Sequence, residues 1–242
     1  MTTCAYKYKR VLLKLSGEAL AGKQGFGIDD AVVSKIAGEV AEVTKDGGVQ
    51  IAIIIGGGNF IRGAAATGIS RLAGDTMGML ATVINSIAFA DSLKSHGVDA
   101  HVLNAVHIDR AGDYYNPERA LAVLESGSVA IIGGGTGSPF FTTDTAAALR
   151  CAEIGAEAIL KATKVDGVYD SDPAKNPNAK RFDTITHAEA LSRKLKVMDS
   201  TAFSFCMDHG IPIIVFKLLE DGNLAKCLMG EPVGTTVTPV CE

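Results

Sequence analysis

The sequence predicts an α/β fold: a single three-layer domain with a mainly parallel central sheet and helices on both faces. Three observations carry that expectation. Apolar runs of strand length alternate with longer helical stretches along the 242 residues. The runs are nearly continuous in apolar character, as strands covered on both faces are. No linker, repeat or low-complexity run interrupts the chain, so residues 1–242 are read as one domain.

In chain order, the strand candidates are residues 11–15, 51–55, 100–103, 129–132, 158–160 and 213–216. Helical stretches fall at about 29–46, 72–95, 117–126 and 143–154. Asp29 or Asp30 is a cap for the first of these, and Pro117 suits the first turn of another. Residues 166–183 hold Pro173, Pro177 and several charges, and read as a loop or small hairpin excursion.

Composition narrows the function classes. At 47% apolar and 21% charged the chain can bury a substantial core. A formal net charge of −4 argues against gripping a nucleic-acid backbone by bulk charge. It leaves open small anions, which bind through local dipoles and a few cations. Cys4, Cys151, Cys206, Cys227 and Cys241 are scattered without a CxxC pair, which suggests free thiols in a reducing compartment. The histidines show no metal-ligand spacing either; His101 and His107 stand six apart. The N-terminus is polar, and runs such as 51–55 are too short to span a bilayer. The expectation is a cytoplasmic protein with neither membrane nor nucleic acid as partner.

The chemistry is concentrated at glycines. Three strand candidates end in Lys14-Leu15-Ser16-Gly17, Gly56-Gly57-Gly58-Asn59 and Gly133-Gly134-Gly135-Thr136-Gly137-Ser138. In a parallel sheet these loops share the carboxyl edge, where ligands bind. Glycine lets backbone N–H groups approach an anion closely, and a following helix adds its positive N-terminal dipole. Three such loops point to a polyphosphate or two phosphorylated ligands. No GxxxxGK[ST] occurs, and Ser138 stands where a dinucleotide fingerprint needs its third glycine. Lys14 is either an edge-strand lysine reaching water or a cation held for phosphate. Arg62 is either a solvated arginine or a bidentate phosphate clamp. Asp144 either caps a helix with Thr142 or orients a cation, and the two roles are compatible. Arg193, Lys194 and Lys196 read as a solvated face.

At this point the motifs resemble bacterial uridylate kinases, members of the amino acid kinase superfamily. The resemblance begins at Lys14-Leu15-Ser16-Gly17-Glu18-Ala19-Leu20 and continues through Gly56-Gly57-Gly58-Asn59 with Arg62-Gly63. Gly74-Asp75 and Met77-Gly78-Met79-Leu80 follow, then Gly135-Thr136-Gly137 with Pro139 to Asp144. Lys161 to Tyr169, Asp172-Pro173 and Lys196-Val197-Met198-Asp199 close the set. The glycine loops and the Lys161–Tyr169 segment are general to the superfamily, whereas Gly74 to Met79 together with Pro139 to Asp144 are what resemble uridylate kinases.

The resemblance implies an amino acid kinase fold and transfer of the γ-phosphate of ATP to UMP in pyrimidine biosynthesis. It implies that Lys14, Leu15, Ser16, Gly17, Gly58, Arg62, Thr163, Tyr169 and Asp172 bind ATP. Gly57, Asp75, Thr136, Gly137, Ser138, Pro139, Phe140, Phe141, Thr142 and Thr143 would bind UMP. Lys14, Arg62, Asp144, Lys161 and Asp199 would be catalytic, with Mg²⁺ carried largely by the ATP phosphates. The N-terminal part would serve the acceptor and the oligomer, and about 160–242 the ATP. A homohexamer with GTP or UTP as effector is implied as well, and Gly22 to Gly27 resembles the activation loop of such relatives. Ala90 and Ser128 stand where some of those relatives carry arginine, and Ser138 where many carry asparagine. Met77, Met79, Leu80, Val83 and Ile84 fit either a subunit interface or the core. The alternatives are another kinase of the superfamily, acting on acetylglutamate, glutamate or aspartate, and a nucleotide-binding sensor without turnover.

Overall fold

The computed structural model describes residues 6–61 and 68–239; Arg62, Cys4 and Cys241 lie outside them. The described strands are β1 (Arg10–Leu15), β2 (Gln50–Ile55), β3 (Ala100–Asn104), β4 (Asp113–Tyr114), β5 (Val129–Gly133), β6 (Ala158–Thr163), β7 (Thr184–Thr186), β8 (Ile213–Lys217) and β9 (Gly234–Thr238). They form one sheet in the order β4-β3-β5-β2-β1-β6-β8-β9-β7. Every pairing is parallel except that of β8 with β9.

The helices are α1 (Gly17–Leu20), α2 (Asp30–Lys45), α3 (Arg71–Ser95), α4 (Pro117–Glu125), α5 (Thr143–Glu153), α6 (His187–Ser192), α7 (Ser200–Asp208) and α8 (Asn223–Met229). Successive strand side chains point to opposite faces, so neighbouring apolar residues feed different cores. Leu13, Leu15, Ile53 and Ile55 pack with α2, α3 and α8 on one face. Leu12, Ile54, Ile132 and Ile159 pack with α4, α5 and α7 on the other. This is the three-layer arrangement that the continuous apolar strands predict.

Local signals set the helix starts. The Asp29 carboxylate accepts from the N–H groups of Ala31 and Val32, and Pro117 occupies the first turn of α4 behind the Asn116 cap. The excursion at 166–183 is indeed hairpin-like, with an antiparallel bridge between Tyr169 and Arg181. Cys151, Cys206 and Cys227 are free and buried, and burial pushes each thiol up to about 12.

The structure adds β4, β7, β9, α1, α6, α7 and α8 to the expected elements. Each is short, and the three extra strands lie at the sheet's ends, where apolar periodicity is weakest. The α3 residues divide by face. Val83 is core at 4% exposed, whereas Met77, Leu80 and Ile84, together with Ile87, are 44–48% exposed. By length and composition α3 is, among the described helices, long and apolar enough to cross a membrane, although polar residues interrupt its apolar run. Its inner side instead packs against α2, β3 and β5 and buries Thr82, Asn85 and Ser86.

His187, at the start of α6, is fully buried against Phe203. Burial lowers its pKa despite opposing contacts to the backbone of Thr238 and Ile211. The unfolded chain therefore binds a proton more readily, and stability falls as pH drops below the ordinary histidine value of about 6.5. The thermal midpoint should decline between pH 7 and pH 5, and His187→Met should flatten that decline.

Candidate active site

The strand order reverses at β1: the chain builds β2, β5 and β3 to one side of it, then β6, β8 and β9 to the other. Such a switch point opens a crevice beyond the carboxyl ends of the strands, because the flanking connections leave in opposite directions. Lys14 on β1 and Lys161 on β6 are direct register partners astride this point. Lys14 is thus on a central strand, which overturns its edge-strand reading.

Both lysines reach the face covered by α5, where Asp144 sits in that helix's first turn. Lys14 Nζ lies 2.8 Å from Asp144 Oδ1, and Lys161 Nζ lies 2.7 Å from Oδ2. Lys161 also donates to the Val197 carbonyl at 2.7 Å. The three side chains are only 11–15% exposed. Burial opposes ionisation of Asp144, but the two ammonium groups outweigh it and hold the carboxyl below its usual value. Burial, aided by Lys14, lowers the pKa of Lys161 despite the attraction of Asp144 and Asp199.

The α5 terminus is itself fixed from two sides. Thr142 Oγ1 accepts from the N–H groups of Asp144 and Thr145, capping the helix. The same hydroxyl donates to Asp199 Oδ2 at 2.5 Å, and Thr145 Oγ1 donates there at 2.9 Å. Asp199 also caps α7 through the Ala202 N–H. An eleven-residue helix with its N-terminus at this edge favours negative charge there.

The glycine loops come together as expected. A Cβ on Gly17 would stand 2.2 Å from the Gly56 carbonyl oxygen, so only glycine allows the first two loops to meet. Leu15 is fully buried, which leaves only its backbone to face a ligand. Gly57, Gly58, Asp75, Thr136, Ser138, Phe141, Thr142 and Thr143 line a cavity of about 240 Å³. Gly137, Pro139 and Phe140 belong to the same loop without lining it. Phe140 is held at a positive φ of 70° while its N–H donates to Asp75 Oδ2 at 2.9 Å.

A second cavity, of about 550 Å³, lies past the ends of β6 and β8 and is lined by Thr163, Lys164, Lys217, Leu218 and Lys23 among others. Tyr169 and Asp172 line neither cavity. The Tyr169 hydroxyl donates to Asp166 Oδ1, and Asp172 Oδ1 accepts from the Ala174 N–H. Arg62 falls outside the described residues, so its position next to the loop rests on sequence.

Among the described residues, no three histidines, cysteines or acidic side chains converge as a metal cage. Both Asp144 oxygens face lysines, and Asp199 is taken up by threonines and a helix cap. That donor set fits a cation brought in on phosphates. Sequence reasoning missed Arg71, which lines the first cavity and pairs with Asp75 at 2.7 Å. The four-residue Arg–Asp spacing on a helix was the available signal.

Residues 9–217 match the model of the amino acid kinase family. The solved UMP kinase of Bacillus anthracis is 36% identical, with a TM-score of 0.93 and 97% of each chain covered. The UMP kinase of Ureaplasma parvum is 35% identical, with a TM-score of 0.90, over 96% of this chain and 99% of that one. The uridylate kinase of Archaeoglobus fulgidus is 26% identical, with a TM-score of 0.71, over 94% of this chain and 99% of that one.

Removing Asp144 leaves two buried ammonium groups without their shared partner. Asp144→Ala should lower unfolding free energy by about 3 kcal/mol, measured by urea titration at pH 7.

Proposed function

The chain belongs to the amino acid kinase family, and on that premise we propose that it is a uridylate kinase, moving the γ-phosphate of ATP onto UMP to give UDP and ADP. The Lys14–Asp144–Lys161 cluster carries this reading. On one side Asp144 adjoins Thr142 and Thr143, which line the smaller cavity; on the other, Lys161 lies two residues before Thr163, which lines the larger. Two phosphorylated ligands meeting at one cationic point need that layout.

In this reading UMP occupies the smaller cavity, with Asp75 and Arg71 at its wall and the loop from Thr136 to Thr143 around its base and phosphate. The backbone of Leu15 to Gly17, together with Gly58 and Arg62, holds the ATP phosphates, and Thr163, Tyr169 and Asp172 lie toward the adenosine. The UMP phosphate oxygen attacks the γ-phosphorus as the bond to the departing ADP oxygen breaks. The attacking group is already an anion, so no general base is required. The difficulty is repulsion between polyanions, and Lys14, Lys161, the glycine N–H groups and the α5 terminus oppose it from fixed positions. Mg²⁺ enters with ATP and, when bound, offsets charge on its phosphates.

The reading extends to a cytoplasmic homo-oligomer, a hexamer by family resemblance. Met77, Leu80, Ile84 and Ile87 recur at three- and four-residue spacing on the outer face of α3, which suits contact with a second copy. GTP or UTP as effector enters this proposal by family resemblance alone, and Ala90 and Ser128, where some relatives carry arginine, argue against the GTP part.

With Mg-ATP and a panel of UMP, CMP, dUMP, acetylglutamate, glutamate and aspartate, ADP release should be strong with UMP alone. Strong turnover with an amino acid instead would overturn the acceptor assignment. Lys14→Ala keeps Asp144 paired with Lys161, so the fold should persist while turnover falls about 10²–10³-fold; a loss under tenfold would remove Lys14 from the phosphate clamp. Ile84→Lys should reduce the particle mass seen by light scattering, and an unchanged mass would move the interface off α3.

A further inference from the structure

The inner face of α3 carries polar groups, of which Thr82 also lines the smaller cavity. Gly78, Thr82 and Asn85 lie on one side of the helix, four and three residues apart. A Cβ on Gly57 would come 2.7 Å from the Gly78 carbonyl oxygen, and Thr82 Oγ1 accepts the Gly134 N–H at 2.8 Å. Two of the three glycine loops therefore rest on this helix.

Asn85 does more than touch them. Its Nδ2 donates to Asn59 Oδ1 at 2.8 Å, and Asn59 Nδ2 donates back to Asn85 Oδ1 at 2.9 Å. The other hydrogen of each amide is also used, since Asn85 donates to the Gly56 carbonyl at 2.7 Å and Asn59 to the Gly27 carbonyl at 2.8 Å. The Asn59 carbonyl accepts the Gly27 N–H at 3.0 Å in return. Asn85 is fully buried and Asn59 is 2% exposed. Flipping both amides would keep the pair but turn oxygens toward the Gly56 and Gly27 carbonyls, so these carbonyls select one orientation.

A buried amide pair contributes little net stability over an apolar pair of similar shape, but it is directional. We propose that Asn85 is a positioning residue for phosphoryl transfer: through Asn59 and the Gly56 carbonyl it sets the phosphate-facing loop that begins at Gly56, and it ties the Gly27 turn to the same point. The activity consequence rests on the uridylate kinase reading; the structural consequence does not.

The test uses the full-length enzyme with Asn85→Leu and with Asn85→Ser, the smaller side chain leaving room for water should leucine prevent folding. Folding is checked by thermal melting. With UMP and Mg-ATP, kcat should fall at least tenfold while KM for ATP stays within threefold. Backbone amides at Gly27 and residues 56–59 should exchange with deuterium at least tenfold faster. A folded Asn85→Ser enzyme with kcat within threefold of the parent overturns the proposal, and so does unchanged exchange at residues 56–59. If the parent itself fails to phosphorylate UMP, the functional reading falls, and the exchange measurement alone decides the role of Asn85.

Discussion

The site depends on one carboxylate that holds two like charges side by side. Lys14 and Lys161 are register partners on adjacent strands and repel each other in a poorly solvated place. Asp144 makes that neighbourhood tolerable, and it does so from the first turn of a helix rather than from the sheet. The crossover from β5 to β6 must therefore deliver the start of α5 to the switch point. Thr142 and Asp199 then hold that terminus, which links α7 to the same cluster.

This arrangement places the cost of assembling positive charge in the folding of the chain. The lysines are desolvated and aimed before a nucleotide arrives, so their interaction with phosphate requires little reorganisation. Asp144 remains ionised through neutral pH because its partners outweigh its burial. The same buried triad is a poor source of net stability, since desolvation offsets most of the Coulombic gain. Its position at the carboxyl edge is better understood through what it does to a ligand.

Much of this was legible in residues. The continuous apolar runs gave away the central strands, and the strand-end glycines marked the functional edge. Lys14 was ambiguous because sequence does not reveal strand order; only its placement beside β6 excludes an edge position. Arg71 and Asn85 escaped notice for a related reason. Asn85, within an apolar helix, carries no periodic signal, and its partners Gly56 and Asn59 lie 29 and 26 residues back in the chain. The Arg71–Asp75 spacing is legible, but the cavity that Arg71 lines is not. The short elements α6, α7 and α8 lacked the length for a clear helical period. Asp199 was nevertheless found through resemblance, although its cap position was not.

The walls of the smaller cavity come from a different part of the architecture than the charge cluster. The lysines stand on central strands, whereas the wall is made of the loop after β2 at Gly57 and Gly58, the loop from Thr136 to Thr143 and the first turns of α3. Loops and helix ends accept substitution more readily than central strands do. The choice of acceptor is thus able to drift while the transfer chemistry stays in place, and a chain of this design is evolvable at one wall and conservative at its centre.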